Sequence, residues 1–168
     1  RTILVPRIET ADQLRPAVEA AHFAYDDGVG DRGVGVGRTS EWVGYADSHI
    51  GGEDSHVLVG TMIENERAVE NIQEICSIPA LGFAFIGPAD LSISLSGGDP
   101  LDKHPEELQA AIDRTREACL AAGVPVGRIH NDPADARQAV DDGVQIVRLG
   151  GDTGAIRSVL ADRLAAVD

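Results

Sequence analysis

Short apolar runs alternate along the chain with stretches in which apolar positions recur every three or four residues. The first kind of pattern is that of buried strands and the second that of helices with one apolar face. The spacing predicts strands at Ile3 to Val5, Arg32 to Val36, Val57 to Ile63, Phe83 to Ile86, Pro125 to Ile129 and Gln145 to Leu149. Between them it predicts helices over about 11–21, where Leu14, Ala17, Val18 and Ala21 share a face, and over about 66–75, where Val69, Ile72 and Ile75 do. Pro105 with Glu106 and Glu107 marks the start of a helix to about Ala122. Asn131-Asp132-Pro133 opens a helix over 135–141, and Gly150-Gly151-Asp152-Thr153 caps a last one to about Ala166.

Strands separated by helices imply a parallel sheet with right-handed crossovers, and both an open doubly wound sheet and a barrel obey that rule. The polar residues favour the barrel. Glu64, Asp90, His130 and Asp152 all follow strand ends, which in a (β/α)8 barrel form the face where sites are built. A complete barrel takes roughly 250 residues, whereas this chain of 168 residues supplies five strand-helix units and the short Arg32 strand. The expectation is therefore a single α/β domain over 1–168, an incomplete TIM-type barrel lacking about three N-terminal strand-helix units. It would be a shortened product, a fragment, or a chain whose wall another chain completes.

Glu64 and Asp90 lie 26 positions apart, each at the end of an apolar strand. One helix fits between them, so the two carboxylates reach the same sheet edge. Two converging carboxylates without a paired lysine suit a divalent cation with oxygen ligands: Mg, Mn or Co. The only lysine, Lys103, sits in a loop beside Pro100, which argues against Schiff-base chemistry.

Other polar residues are weaker candidates. His130 could act as an acid or base beside the metal, or be a loop histidine bonded near Asn131 and Asp132. Arg148, in an otherwise apolar strand, could meet a substrate carboxylate, but pairing with an acid on the outer face is preferred. Arg32-Gly33-Val34-Gly35 lacks the spacing and the following helix of a phosphate loop. Residues 37–55 read as a long loop, a lid or contact surface, with Trp42 packed within the chain.

Charge narrows the partners. With 28 acidic residues against 14 basic ones, a formal charge of -14, the chain is a poor match for nucleic acid phosphates. The acidic, lysine-poor composition resembles that of proteins from salt-loving organisms. No apolar run is long enough to span a membrane, and the start lacks the layout of a signal peptide, so the expected location is cytoplasmic. Cys76 and Cys119 form no Cys-x-x-Cys or Cys-His cluster and read as buried helix-face residues, not as a zinc site or redox pair.

Met62-Ile63-Glu64-Asn65-Glu66, Ala68-Val69-x-Asn71 and Phe85-Ile86-Gly87-Pro88-Ala89-Asp90-Leu91-Ser92 together resemble the HpcH/HpaI class II aldolase family. The opening Leu4-Val5-Pro6-Arg7-Ile8-Glu9-Thr10-Ala11, the Arg32-Gly33-Val34-Gly35 step and the closing Gly150-x-Asp152-Thr153 are similar to it too. The resemblance covers essentially the whole chain and matches the C-terminal two-thirds of a family barrel. It implies a lyase that cleaves a hydroxylated 2-oxo acid to pyruvate and an aldehyde through a metal-stabilised enolate, assembled as a homo-oligomer.

The resemblance places the metal on Glu64 and Asp90 and the substrate carboxylate on the turn Gly87, Pro88, Ala89 and Asp90, held by backbone N–H groups. Ser92 would add a hydroxyl or merely cap the turn. Met62 stands where relatives often have a Gln that reaches the substrate, and it cannot donate a hydrogen bond. The relatives' catalytic Arg and His fall outside this chain, which leaves His130 as the local candidate. Alternatives are a citrate lyase beta-like or malyl-CoA lyase-like enzyme, and a truncated paralogue that binds metal or keto acid without turnover.

Overall fold

The apolar runs become strands because their backbone groups pair with neighbours; the inner strands are buried on both side-chain faces, whereas the first and last are largely exposed. The computed structural model describes residues 1–24, 30–35, 37, 38, 42, 52, 55–98 and 105–167. In chain order the described elements are β1 (Thr2–Val5), α1 (Ala11–Ala21), β2 (Leu58–Ile63), α2 (Glu66–Glu70), α3 (Ile72–Cys76), β3 (Leu81–Ile86), α4 (Pro88–Leu95), α5 (Pro105–Ala122), β4 (Val126–His130), α6 (Pro133–Asp141), β5 (Ile146–Leu149) and α7 (Asp152–Ala165). All the strands pair in parallel, in the order β1-β2-β3-β4-β5. A doubly wound sheet reverses its strand order at a switch point, whereas a barrel keeps sequence order. This sheet keeps it.

The register sorts the strand residues onto two faces. Ile63 pairs with Ile86 and Thr61 with Ala84, Ala84 pairs with Val126, and these face the helices. The main apolar core lies there, built from Val59, Ile63, Ile86 and Val126 against Leu14, Val18, Ile72, Ile75, Leu91 and Ile112. On the other face Gly60 pairs with Phe83, Met62 with Phe85, and Phe85 with Gly127. A Cβ at Gly60 would overlap the Phe83 ring, and one at Gly127 would lie 2.5 Å from Phe85. The two phenylalanines thus lie flat over glycines of neighbouring strands.

Three expectations change. The strand expected from Arg32 to Val36 is not found over 32–35: Arg32 makes one parallel bridge to Phe23, Val34 is exposed, and side chains at Gly33 or Gly35 would meet nothing within 4 Å. Arg32 alone packs, its guanidinium 4.3 Å from the Phe23 ring centre, so the segment has little reason to extend the sheet; Val36 lies outside the described residues. The helix over 66–75 is two, broken at Asn71, whose side-chain amide donates to the Glu9 carbonyl at 2.9 Å. The turn after β3 winds on into α4, with Pro88 at its first position.

Trp42 is 70% exposed, and the expected packing within the chain is not found among the described residues. Most of the 37–55 loop, and Lys103, lie outside the described residues. The two cysteines, read as separate, meet across α3 and α5 with their sulfurs 3.7 Å apart. The hydrogen bond with the Cys76 sulfur, and then burial, push the Cys119 thiol far up, so it stays protonated. No described helix is long and apolar enough to cross a membrane.

Candidate metal centre

Glu64 follows β2 directly, and the Ile63–Ile86 pairing sets it level with Gly87 at the C-terminal edge of the sheet. The Gly87 amide donates to the Ile63 carbonyl at 3.0 Å, which ties the two strand ends together. Glu64 is only 6% exposed. Two features hold its carboxylate. Oε1 accepts the backbone N–H of Arg7 at 2.7 Å. Oε2 lies 3.3 Å from where a side chain at Gly87 would begin, and the Met62 methyl closes the same spot at 3.1 Å.

The Arg7 amide reaches Glu64 because the loop after β1 is turned and clamped. Arg7 has a left-handed backbone, φ 56°, which costs a non-glycine residue about 1 kcal/mol or more. Asn65 and Asn71 donate to the Ile8 and Glu9 carbonyls at 3.4 and 2.9 Å, and Arg67 pairs with Glu9 at 3.3 Å. The Asn65 side chain also caps α2 by accepting from Ala68 N–H at 2.9 Å. Sequence reasoning missed Arg7, because its contribution is a backbone amide and no side-chain pattern announces one.

Asp90 sits in the first turn of α4 and is exposed, not strictly at a strand end. Gly87 is the N-cap of this helix and no side chain caps it. Pro88 has no amide hydrogen and Leu91 N–H bonds to the Gly87 carbonyl, so the Ala89 and Asp90 amides are the first-turn donors without an intrahelical acceptor. Ser92 is buried, one turn further on. Asp152 is exposed at the start of α7 and accepts from its neighbour Thr153 N–H at 2.7 Å.

Two strand residues lie on faces other than expected. His130 is the last residue of β4, not a loop residue, and counting in twos from Val126 sets it on the helix-facing side, away from Glu64. Arg148 pairs with Ile129 in the register and so shares the inner face with Met62 and Glu64. Its guanidinium rests over Gly151, 2.7 Å from the position a side chain would take, and it makes no ion pair among the described residues. The expected outer-face pairing is therefore not found.

Hard carboxylate oxygens at a sheet edge fit a small divalent cation. Among the described residues no group of three His, Cys, Asp or Glu could hold a metal, so a cation on Glu64 and Asp90 would complete its shell with water and substrate oxygens, as Mg²⁺ commonly does.

The model of the HpcH/HpaI aldolase/citrate lyase family matches residues 1–158. The chain is 34% identical over 167 residues to 2-keto-3-deoxy-L-rhamnonate aldolase of Klebsiella pneumoniae, covering 98% of this chain and 60% of that protein. It is 36% identical over 154 residues to hydroxypyruvate/pyruvate aldolase of Cupriavidus necator, covering 90% and 55%. The crystal structure of an HpcH/HpaI aldolase/citrate lyase family protein from Burkholderia cenocepacia superposes with a TM-score of 0.86 at 30% identity, over 99% of this chain and 65% of that one. The five parallel strands are thus a curled part-barrel of the TIM kind. The chain spans about 60% of the length of such curated relatives. By its sequence, its strand order and the Glu64–Gly87 corner, this chain belongs to the HpcH/HpaI aldolase/citrate lyase family.

Proposed function

We propose that this chain carries the metal and keto-acid half of a class II aldolase site, which cleaves a hydroxylated 2-oxo acid to pyruvate and an aldehyde. The observation that carries the proposal is the buried Glu64 carboxylate, pinned at Oε1 by Arg7 N–H and with Oε2 set against Gly87 at the start of α4. A buried carboxylate at a sheet edge is unfavourable unless a partner meets its charge, and one N–H meets only part of it. Glu64 and Asp90 would hold the cation, with Mg²⁺ or Mn²⁺ ahead of Co²⁺. When bound, it supplies Lewis-acid stabilisation of the negative charge that appears on the keto acid as the carbon-carbon bond breaks.

The chain's own groups bind and orient. The Ala89 and Asp90 amides receive the substrate carboxylate at the N-terminus of α4, where the helix dipole favours an anion. Gly87 and Pro88 shape that turn, and the Met62 side chain packs against Gly87 without a hydrogen bond to offer. The buried Ser92 supports the turn from beneath. The remaining barrel wall, with the arginine and histidine of the reaction, would come from outside these residues. A cytoplasmic homo-oligomer is the proposed setting.

The test is pyruvate release from 2-keto-3-deoxy sugar acids after chelation and metal add-back. Turnover that returns with Mg²⁺ or Mn²⁺ and is lost in Glu64→Gln supports the proposal; metal-independent turnover sinks it. A second reading, metal and keto-acid binding without turnover, is favoured by the apolar residues exposed on and beside the edge strands: Ile3, Leu4 and Leu58, and Leu149. Metal binding by calorimetry with no pyruvate formed would select it.

A further inference from the structure

A second polar cavity lies on the helix-facing side of the sheet, between β4, α5 and α6. Its volume is about 320 Å³. Ile86, Ile112 and Val144 supply apolar wall, and Arg116, Arg128 and His130 line the polar side. None of these groups belongs to the Glu64 corner: strand alternation sends Arg128 and His130 to the opposite face from Met62, Glu64 and Gly87.

The two strand residues are unusual for a helix-facing position. His130 is 94% buried, being 6% exposed, and its Nε2 has no hydrogen-bond partner; the Nε of Arg128 is buried and equally without one. Buried polar atoms are nearly always paired, and a buried cation without a counter-charge is strongly unfavourable. The neighbouring cation is already matched: Arg116 pairs with Asp113 at 3.1 Å and with Asp142 at 3.8 Å. Asp135 also lines the cavity, and it and Asp113 offset part of the Arg128 charge without forming an ion pair with it. Burial lowers the affinity of His130 for a proton and the Arg128 guanidinium adds to that, with Asp135 opposing. The imidazole is thus neutral at pH 7, and the floor of the cavity carries one guanidinium that makes no ion pair among the described residues.

We propose that this cavity binds a short-chain monocarboxylate, its carboxylate on Arg128 Nε–H and His130 Nε2 and its alkyl chain against Ile86, Ile112 and Val144. One guanidinium without an ion pair suits at most one anionic charge, and Asp135 with the acids around Arg116 disfavours a more highly charged guest. The volume sits at the lower end of the range for ligand pockets, and the apolar wall favours an organic acid over inorganic phosphate.

The test is calorimetric titration of the full chain with butyrate, in EDTA and at constant ionic strength, so that no metal can recruit a carboxylate to Glu64. Saturable binding is expected in the unaltered chain and in Glu64→Gln, with affinity about tenfold or more weaker in Arg128→Met. Ala139→Phe, which fills the cavity from α6 and leaves both polar groups in place, should also abolish binding and covers the case in which the Arg128 variant misfolds. No saturable heat, equal affinity in Arg128→Met and Ala139→Phe, loss in Glu64→Gln alone, or tighter binding of phosphate than of butyrate would each overturn the proposal. The first of these would mean that the cavity holds only water.

Discussion

The Glu64 corner and the Arg128–His130 cavity stand on opposite faces of one sheet and treat buried polar groups in opposite ways. At the corner a carboxylate is pinned by a backbone amide and set against a glycine, with the loop around Arg7 clamped by Asn65, Asn71 and Arg67. In the cavity two basic side chains stand between apolar and polar neighbours with unpartnered nitrogens. The lesson is that polarity near a strand end does not by itself locate a site; the face does. Glu64 lies one residue beyond the helix-facing Ile63 and looks inward, whereas His130 lies an even number of residues from Val126 and looks outward.

The sharpest break of this contrast is to remove the corner's charge. Glu64→Gln and Asp90→Asn should each lower metal-dependent turnover by about 100-fold or more, since each 1.4 kcal/mol of lost stabilisation is tenfold. Stripping the metal with EDTA should do the same, and both are read by pyruvate release. A variant that keeps turnover would place the metal elsewhere.

Packing on the inner face comes next. Gly60→Ala would drive a methyl into the Phe83 ring, and we expect a loss of about 1–3 kcal/mol in chemical denaturation, with metal affinity little changed. Gly87→Ala places its methyl 3.0 Å from Glu64 Cβ and 3.1 Å from the Met62 methyl. It should weaken metal binding by about tenfold through displacement of the carboxylate, with a smaller stability loss of about 1 kcal/mol.

The cavity should respond in the reverse direction. Arg128→Met removes a half-buried guanidinium whose Nε lacks a hydrogen-bond partner, and an equal or higher stability by up to about 1 kcal/mol is expected from denaturant melts. The smallest effect is on pH. His130 holds its proton less tightly when folded than at its ordinary value of 6.5, because of burial and Arg128. Below about pH 6.5 the unfolded chain therefore binds a proton that the native one resists, and stability falls with falling pH through that window. His130→Leu should flatten that part of the pH profile and leave the region above it unaltered.

Much of the molecule was legible in the order of its residues. Five of the six expected strands form, because apolar runs bounded by turn residues have few alternatives once buried. The sixth, at Arg32, had the right alternation but glycines where packing partners were needed. The helix α4 hid behind Gly87-Pro88, which reads as a turn from composition and as a helix start only when the next turn is seen to pack through Leu91 and Ser92. The Met62–Asn65 and Gly87–Ser92 motifs named the candidate residues. They did not reveal the Arg7 amide that pins Glu64, nor the pairing of Cys76 with Cys119.

The chain's linear pattern determined the alternation of strands and helices, the parallel sheet and the family, since these follow from local periodicity and from short motifs. Tertiary structure alone decided which side of the sheet each strand-end residue serves. That depends on register: a shift of one position moves a side chain from one face to the other. Only the pairing of Ile63 with Ile86, and of Ile86 with Arg128, shows that Glu64 and His130 answer to different neighbours.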